Sequence, residues 1–408
     1  MKLSDLKTLS KPVWFLLVGS VFSSASYFIS MPYLALRLKT ALELNPLVIG
    51  LTLGVGPLFG ILGGFYTGYL SDHWGRKAMI LISVFLWGFM FFGFAFATQI
   101  WEFAFLNMIN GLCNATYKPL IAAMVSDLTP AVHRKTAFHL RYYAINVGAA
   151  IGPVFGAWLL IRNPVSGFLI AAAVYFVYGV ASIFQLPNDS KKPVSTVVKD
   201  SFVATLKVLS LDKPLLYFTL ASVLISLAYC QLESTLPQFL QSTSGQEGVK
   251  TFGILMAING FTVVFFQFPL NRLASKLSLI GTLKMGSFIY GIGMMFFGLV
   301  HHSRALLILS MFVLTLGEIL VFSNGNLIID QIAPEDKKGA YFGASALWAI
   351  GPTLGPALGG IILMHWGGTI VFVLAGIIGV ANVLVYHLGY LAQGQISSAK
   401  NLPLLQNT

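Results

Sequence analysis

The chain is short of charge. Only 10% of its 408 residues are Asp, Glu, Lys or Arg, where a soluble globular domain carries about 25%. Acidic side chains are the scarcest, 14 against 25 Lys and Arg, for a net charge of +11. Cysteine is nearly absent, and both copies, Cys113 and Cys230, fall in apolar runs. Such thiols behave as small core residues rather than as a disulfide or a metal site. No His/Cys cluster has ligand spacing, since the adjacent His301 and His302 point different ways on a helix. A P-loop, a GxSxG elbow and a dinucleotide fingerprint are also missing. These absences remove the usual marks of ATP hydrolysis and nucleophilic catalysis. No cofactor and no metal are expected, and the chain does not read as an enzyme.

Apolar residues dominate instead, at 56%, with a mean hydropathy of +0.80. Hydrocarbon about 30 Å thick takes about 20 apolar residues to cross as a helix. Twelve segments meet that requirement: 12–36, 47–70, 77–98, 100–126, 136–161, 165–186, 214–240, 250–272, 279–300, 304–330, 338–364 and 367–392. No long alternating pattern suggests a β-barrel. The expected fold is an all-α membrane protein of twelve transmembrane helices.

The charges give an orientation. With the N-terminus placed in the cytoplasm, 18 of the 25 Lys and Arg fall on that side and 5 on the other. Lys118 and Arg141 lie within spans. This positive excess assigns both termini to the cytoplasm. It also accounts for the net charge without nucleic acid. Lys2, Lys7 and Lys11 precede the first span like a signal sequence. That span has no small-residue cleavage site and is too long for one, so it reads as a retained helix. The expected setting is the plasma (inner) membrane, with the lipid bilayer as the main partner and the protein a monomer.

The chain repeats itself at an offset of 203 residues. Arg134-Lys-Thr-Ala137 matches Lys337-Lys-Gly-Ala340, and Gly148, Gly152, Pro153 and Gly156 match Gly351, Gly355, Pro356 and Gly359. The longest polar linker lies between the copies. The expected division is a six-helix bundle over 1–186, a cytoplasmic linker over 187–213, a second six-helix bundle over 214–393 and a cytoplasmic tail over 394–408. Two parallel repeats of this kind are related by an axis along the membrane normal.

One charged knot interrupts the first half. Gly68-Tyr-Leu-Ser-Asp72-His-Trp-Gly75-Arg76-Lys77 joins two apolar segments, and Gly75 permits a tight turn. This run strongly resembles the loop between helices 2 and 3 of the major facilitator superfamily of transporters. The resemblance, together with the six-plus-six repeat, covers almost the whole chain. It implies a conformational latch at Asp72, Gly75, Arg76 and Lys77. Asp72 would meet the positive N-terminus of helix 11, which begins near Lys338. The stripe Gly148, Gly152, Pro153, Gly156 resembles the helix 5 element of superfamily antiporters, especially drug–proton exporters. Small residues at this spacing allow close backbone packing in lipid, and Pro153 permits a bend. With Gly355 and Pro356 these residues are candidate hinges of helices 5 and 11.

Charges inside spans carry the chemistry, because each costs several kcal/mol unless paired or hydrated. Glu318 lies near the middle of helix 10, Glu233 in helix 7, Lys118 in helix 4 and Arg141 in helix 5. Superfamily architecture lines its cavity with helices 1, 4, 7 and 10. Burial disfavours the charged form of an acid or base, so Glu318 and Glu233 are expected to couple protons. Lys118 is expected to pair with Glu318 in one conformation and with substrate in another. Arg141 and Asp127 form a candidate cytoplasmic ion pair. Tyr27, Tyr117, Tyr142, Asn146, Gln231 and Trp348 complete the expected substrate site.

The resemblance divides at this point. Carboxylates in helices 7 and 10 look like proton-driven multidrug exporters, which implies export of small amphipathic organic compounds. Lys118-Pro119, the Tyr-x-x-x-Asn-x-Gly run ending at Gly148, and Gly317-Glu318 also look like proton-coupled oligopeptide transporters. That alternative implies peptides or other zwitterionic cargo. Ser23-Ser-Ala-Ser-Tyr-Phe28 lacks the peptide family's paired-glutamate-arginine motif, and Asn107 replaces the helix 4 arginine common in drug exporters. A non-transporting membrane receptor would share the fold.

Overall fold

A computed structural model of the chain describes residues 9–187, 212–334, 341, 344 and 346–400. Within these helices the side chains of 65–70, 72, 131, 135, 326 and 395–400 are not described. Most of the expected linker, the end of the tail, the predicted start of helix 11 at 338 and the side chain of Asp72 therefore lie outside the described residues.

Helices account for nearly all of what is described, and no strand occurs there. Lipid supplies no hydrogen-bond partners, so the backbone satisfies its own groups along each segment. In chain order these are α1 (Lys11–Leu42), α2 (Pro46–Trp74), α3 (Arg76–Phe96), α4 (Ile100–Asp127), α5 (Arg134–Arg162) and α6 (Ser166–Gln185). The second set begins with α7, which runs from Lys213–Tyr229 through Gln231–Ser234 into residues 236–244. Residues 246–274 form α8, Leu279–Leu299 α9, and Arg304–Phe322 with Gly325–Ile332 α10. Residues 350–366 form α11 and 368–400 form α12.

Nine stretches among the described residues are long and apolar enough to cross a membrane. Two of them are each two helices in line, divided where Gly245 (φ 55°) and Gly367 (φ 80°) leave helical geometry. A third helix, α4, is more polar because asparagines line one face. Counting it and dividing the doubled stretches accounts for twelve segments.

Side-chain caps start several helices. Asn45 Oδ1 accepts from the Val48 N–H at 3.0 Å, with Pro46 beginning α2. Asp212 and Ser278 accept in the same way from Leu215 (2.9 Å) and Gly281 (3.0 Å). Each such cap contributes about 1 kcal/mol. Gly75 alone joins α2 to α3, at φ 88°, a conformation that a Cβ would strain.

The repeated glycine stripe does the same work in both halves. Gly148 and Gly152 set α5 against the backbone of α1, where a Cβ would lie 2.5 Å from the Val21 carbonyl and 2.7 Å from that of Ala25. Gly351 and Gly355 set α11 against α7 at Leu227 and Cys230. The expected hinge at Pro153 is not bent open in this conformation. Helical dihedrals continue through it, and its carbonyl accepts a hydrogen bond from the Tyr33 hydroxyl. In α11 the irregularity lies before the expected Pro356, in a tighter turn over Ala346–Ala349.

Between the halves, small residues seal the side away from the termini. A Cβ on Gly50 or Gly54 of α2 would strike the carbonyls of Pro356 and Thr353 on α11. A Cβ on Gly253 or Gly260 of α8 would likewise lie 2.7 Å from Ala157 or 2.5 Å from Ala150 of α5. On the terminal side Tyr143 stacks on Phe268 with ring centres 5.4 Å apart. A Cβ on Gly64, by contrast, would meet no described atom within 4 Å, and Lys118, Tyr142 and Trp348 stay exposed. Among the described residues, the cavity between the halves thus opens toward the face that carries the termini.

Candidate functional site

Glu318 stands half-buried on α10, four residues before that helix is interrupted at Phe322. Asn259 on α8 donates from Nδ2 to its Oε2 at 2.5 Å and to the Thr315 hydroxyl at 3.1 Å. The Tyr229 hydroxyl, on α7, donates to Oε1 at 3.4 Å. Three helices thus converge on one carboxylate, and none of these partners is a cation. One turn on, Asn271 of α8 accepts from Ser323 and Asn324 at 3.1 Å each, across the interruption in α10. Asn259 and Asn271 are both absent from the expected site. The sequence signal of Asn259 is an amide in an apolar run, and Asn271 stands beside Arg272 at the end of its span.

The expected pairing of Lys118 with Glu318 is not made here. Asn259 and Tyr229 occupy the carboxylate, and Lys118 makes no hydrogen bond or ion pair through its ammonium among the described residues. The charges acting on Lys118 are those of Glu233 and Arg141. Glu233, half-buried in the short stretch Gln231–Ser234 of α7, is reached in turn by Lys118. Lys118 and Glu233 are near enough to act on one another and make no direct contact among the described residues.

Arg141 corrects a second expectation. Asp127 is bonded by Arg76 instead, in a pair about one-third exposed on each side. The Arg141 guanidinium turns to the Lys118 carbonyl at 3.2 Å, and its Nε is buried without a partner. The residue sits about two turns into α5 and faces α4 rather than the terminal surface. Lys77 donates to the Leu186 carbonyl at 2.8 Å. Arg76 and Lys77 thus tie together loops of their own half in this conformation. A latch between the halves would fall to Asp72, whose side chain lies outside the described residues.

The expected aromatic and amide residues separate into two groups. Tyr27, Tyr142, Asn146 and Trp348 are at least partly exposed. Tyr27 lies beside Asn110 and Asn114 and within the field of Glu233, and Tyr142 within that of Glu318. Tyr117 and Gln231 instead belong to the packing. Tyr117 is buried, bonded to the Tyr178 hydroxyl at 3.2 Å and set edge-on to Trp87 at 5.0 Å. Gln231 is 3% exposed and spends its amide on the Gly355 carbonyl at 2.9 Å and on Thr235 at 3.0 Å. Neither presents a free polar group to a substrate.

A ladder of amides on α4 was also not foreseen as a unit. Asn107 donates to the Thr52 and Leu53 carbonyls of α2 at 2.9 Å each. Asn110 bonds Asn107 at 3.2 Å and accepts from the Trp87 indole at 3.1 Å, and Asn114 bonds Asn110 at 3.0 Å. The three- and four-residue spacing puts these groups on one face, which ends at Lys118.

A family model for the Major Facilitator Superfamily matches residues 16–349. The chain is 35% identical over 363 residues to the MFS-type transporter YqjV of Bacillus subtilis, across 87% of each chain. It is 26% identical to a Na(+), Li(+), K(+)/H(+) antiporter of Planococcus maritimus, over 91% of this chain and 93% of that one. Identity with the multidrug resistance protein MdtH of Proteus mirabilis is 25%, over 90% and 88%. In fold it is similar to the nucleoside transporter NupG (TM-score 0.77, 15% identity, 93% of this chain and 100% of that). It is also similar to a POT family transporter solved with 5-aminolevulinic acid (TM-score 0.74, 15% identity, 96% and 99%). The chain belongs to the Major Facilitator Superfamily and is a multi-pass membrane transporter.

Proposed function

We propose that this transporter is a proton-coupled exporter of small amphipathic organic compounds, working by alternating access with Glu318 as its principal proton carrier. The observation that carries the reading is a carboxylate within a membrane span, held by neutral donors on two neighbouring helices, with no cation bonded to it among the described residues. A charge in mid-membrane costs about 3 kcal/mol. Hydrogen bonds to a charged acceptor return about 1.5–3 kcal/mol each. These magnitudes are comparable, so neither protonation state is strongly excluded, as loading and release of a proton require.

The relatives support ion exchange: one is named for cation/proton antiport and another for multidrug resistance. Excess Lys and Arg on the terminal side makes that side cytoplasmic. The conformation described above is then inward-facing, open for cargo to bind from the cytoplasm. Exposed Tyr142 and Trp348 offer aromatic surface to an amphipathic molecule. Asp72 is proposed as the latch of the outward-facing state, and Glu233 as a second titrating group that answers Lys118.

A second reading rests on the opposite wall. Lys118 and Arg141 lie together with no described carboxylate bonded to either, and Glu233 is the acidic group near enough to act on Lys118. That separation of charge suits a zwitterion, such as a peptide. Flux into proteoliposomes under an imposed pH gradient, run in parallel with cationic dyes and dipeptides, tests both. Gradient-dependent dye movement supports export of amphipathic compounds. Dipeptide movement alone transfers the function to the second reading, and no gradient dependence for any solute contradicts proton coupling.

A further inference from the structure

On the terminal side, away from the central cavity, α9, α10 and α12 line a half-open pocket of about 530 Å³. Among the described residues its polar lining comes from Ser278, Lys284, Gln331, Tyr390 and Gln393, with no Asp or Glu. Lys284 extends sideways to α12, where its Nζ lies 2.9 Å from Nδ1 of His387. The same ammonium sits 5.8 Å from the centre of the Tyr390 ring. A lysine that merely needed water would reach along the membrane normal to the headgroup level. Here it is held between helices by an imidazole, which accepts its proton only while neutral. Two nitrogen bases on neighbouring helices thus share one hydrogen bond beside an open volume.

We propose that this pocket binds the phosphate-bearing headgroup of an anionic membrane lipid. Lys284 supplies the charge, and the Gln331 and Gln393 amides and the Ser278 and Tyr390 hydroxyls supply further donors. A negative headgroup gives the Lys284 protons that are not bonded to His387 an anionic acceptor. The volume is that of a small-molecule site and exceeds what a lone inorganic ion fills. Basic pockets between membrane helices on the cytoplasmic side are suited to such lipids.

Native mass spectrometry of the full chain in neutral detergent, with phosphatidylglycerol or phosphatidylcholine added, tests the site. Wild type should retain phosphatidylglycerol in preference to phosphatidylcholine. Lys284→Gln should lower that retention roughly fivefold, as for one basic residue near a headgroup, and Lys284→Arg should restore it. Lys276→Gln, on the exposed loop before α9, is the control for general surface charge. Thermal unfolding with inorganic phosphate, in place of lipid, separates the sources. Stabilisation by phosphate that depends on Lys284 while lipid retention does not would transfer the pocket to a soluble phosphate and overturn the lipid. Equal retention of both lipids, or loss in Lys276→Gln equal to that in Lys284→Gln, would also overturn it.

Discussion

Asn259 ties Glu318 to Thr315 through a single amide, donating to the carboxylate at 2.5 Å and to the hydroxyl at 3.1 Å. Both acceptors are on α10 and the donor is on α8. A change of protonation at Glu318 therefore changes the bond that holds two helices together. The hydrogen bonds of Asn271 to Ser323 and Asn324 sit where that movement would be relayed, at the interruption in α10.

Removing that amide should uncouple transport. Asn259→Leu should lower pH-driven flux ~10- to 100-fold, the equivalent of losing a hydrogen bond to a charged acceptor. The midpoint of the pH–flux profile should move as well. A reduced rate with an unmoved midpoint would assign Asn259 to packing alone.

The small-residue seal gives a second prediction. A side chain at Gly50 or Gly54 runs into the backbone carbonyls of α11, and interiors do not absorb such overlap without shifting. Gly54→Leu should hold the far side open. Cysteines introduced at cavity positions should then label from the far side more readily than in wild type. Labelling no faster than wild type would refute the seal.

Lys118 separates the two cargo readings. With cationic cargo, Lys118→Ala should leave binding intact or tighten it and disturb mainly coupling. With carboxylate-bearing cargo the same variant should lose a charge-assisted bond and bind far more weakly. Equilibrium binding of a cationic dye and of a dipeptide to purified wild type and variant decides between them.

Arg76 and Asp127 should matter little for stability. Each is about one-third exposed, and such pairs are worth about 0–1 kcal/mol. Asp127→Asn should shift the unfolding midpoint only slightly. A large drop would mean that the pair does more than tie two loops of its own half.

The helices and the central carboxylate could be read from the sequence because hydrocarbon imposes a strong rule. Apolar length marks a span, and a lone Glu318 stands out within one. Which face of a helix meets the cavity was far less legible. In a membrane the lipid face and the core face are both apolar, so periodicity does not separate them. Tyr117 and Lys118 are neighbours, yet about 100° of helical rotation sends one into the Trp87–Tyr178 core and leaves the other exposed. Gln231 looked like a cavity amide and instead bonds the backbone of α11. Asn259 was missed because its importance comes from a partner 59 residues away. The glycine repeat was visible, but its role in packing α5 on α1 and α11 on α7 required the partners' positions.

Substrate exchange and gradient-driven accumulation by Glu318→Gln, measured side by side in proteoliposomes, test the central claim most directly. Glutamine keeps the size of the side chain and imitates its neutral, protonated form, with one acceptor and one donor group, and it cannot release or take up a proton. The variant should exchange substrate across the membrane at a rate near that of wild type. Its accumulation under an imposed pH gradient should fall to the level of protein-free liposomes. Accumulation equal to that of wild type would show that the coupling proton travels elsewhere.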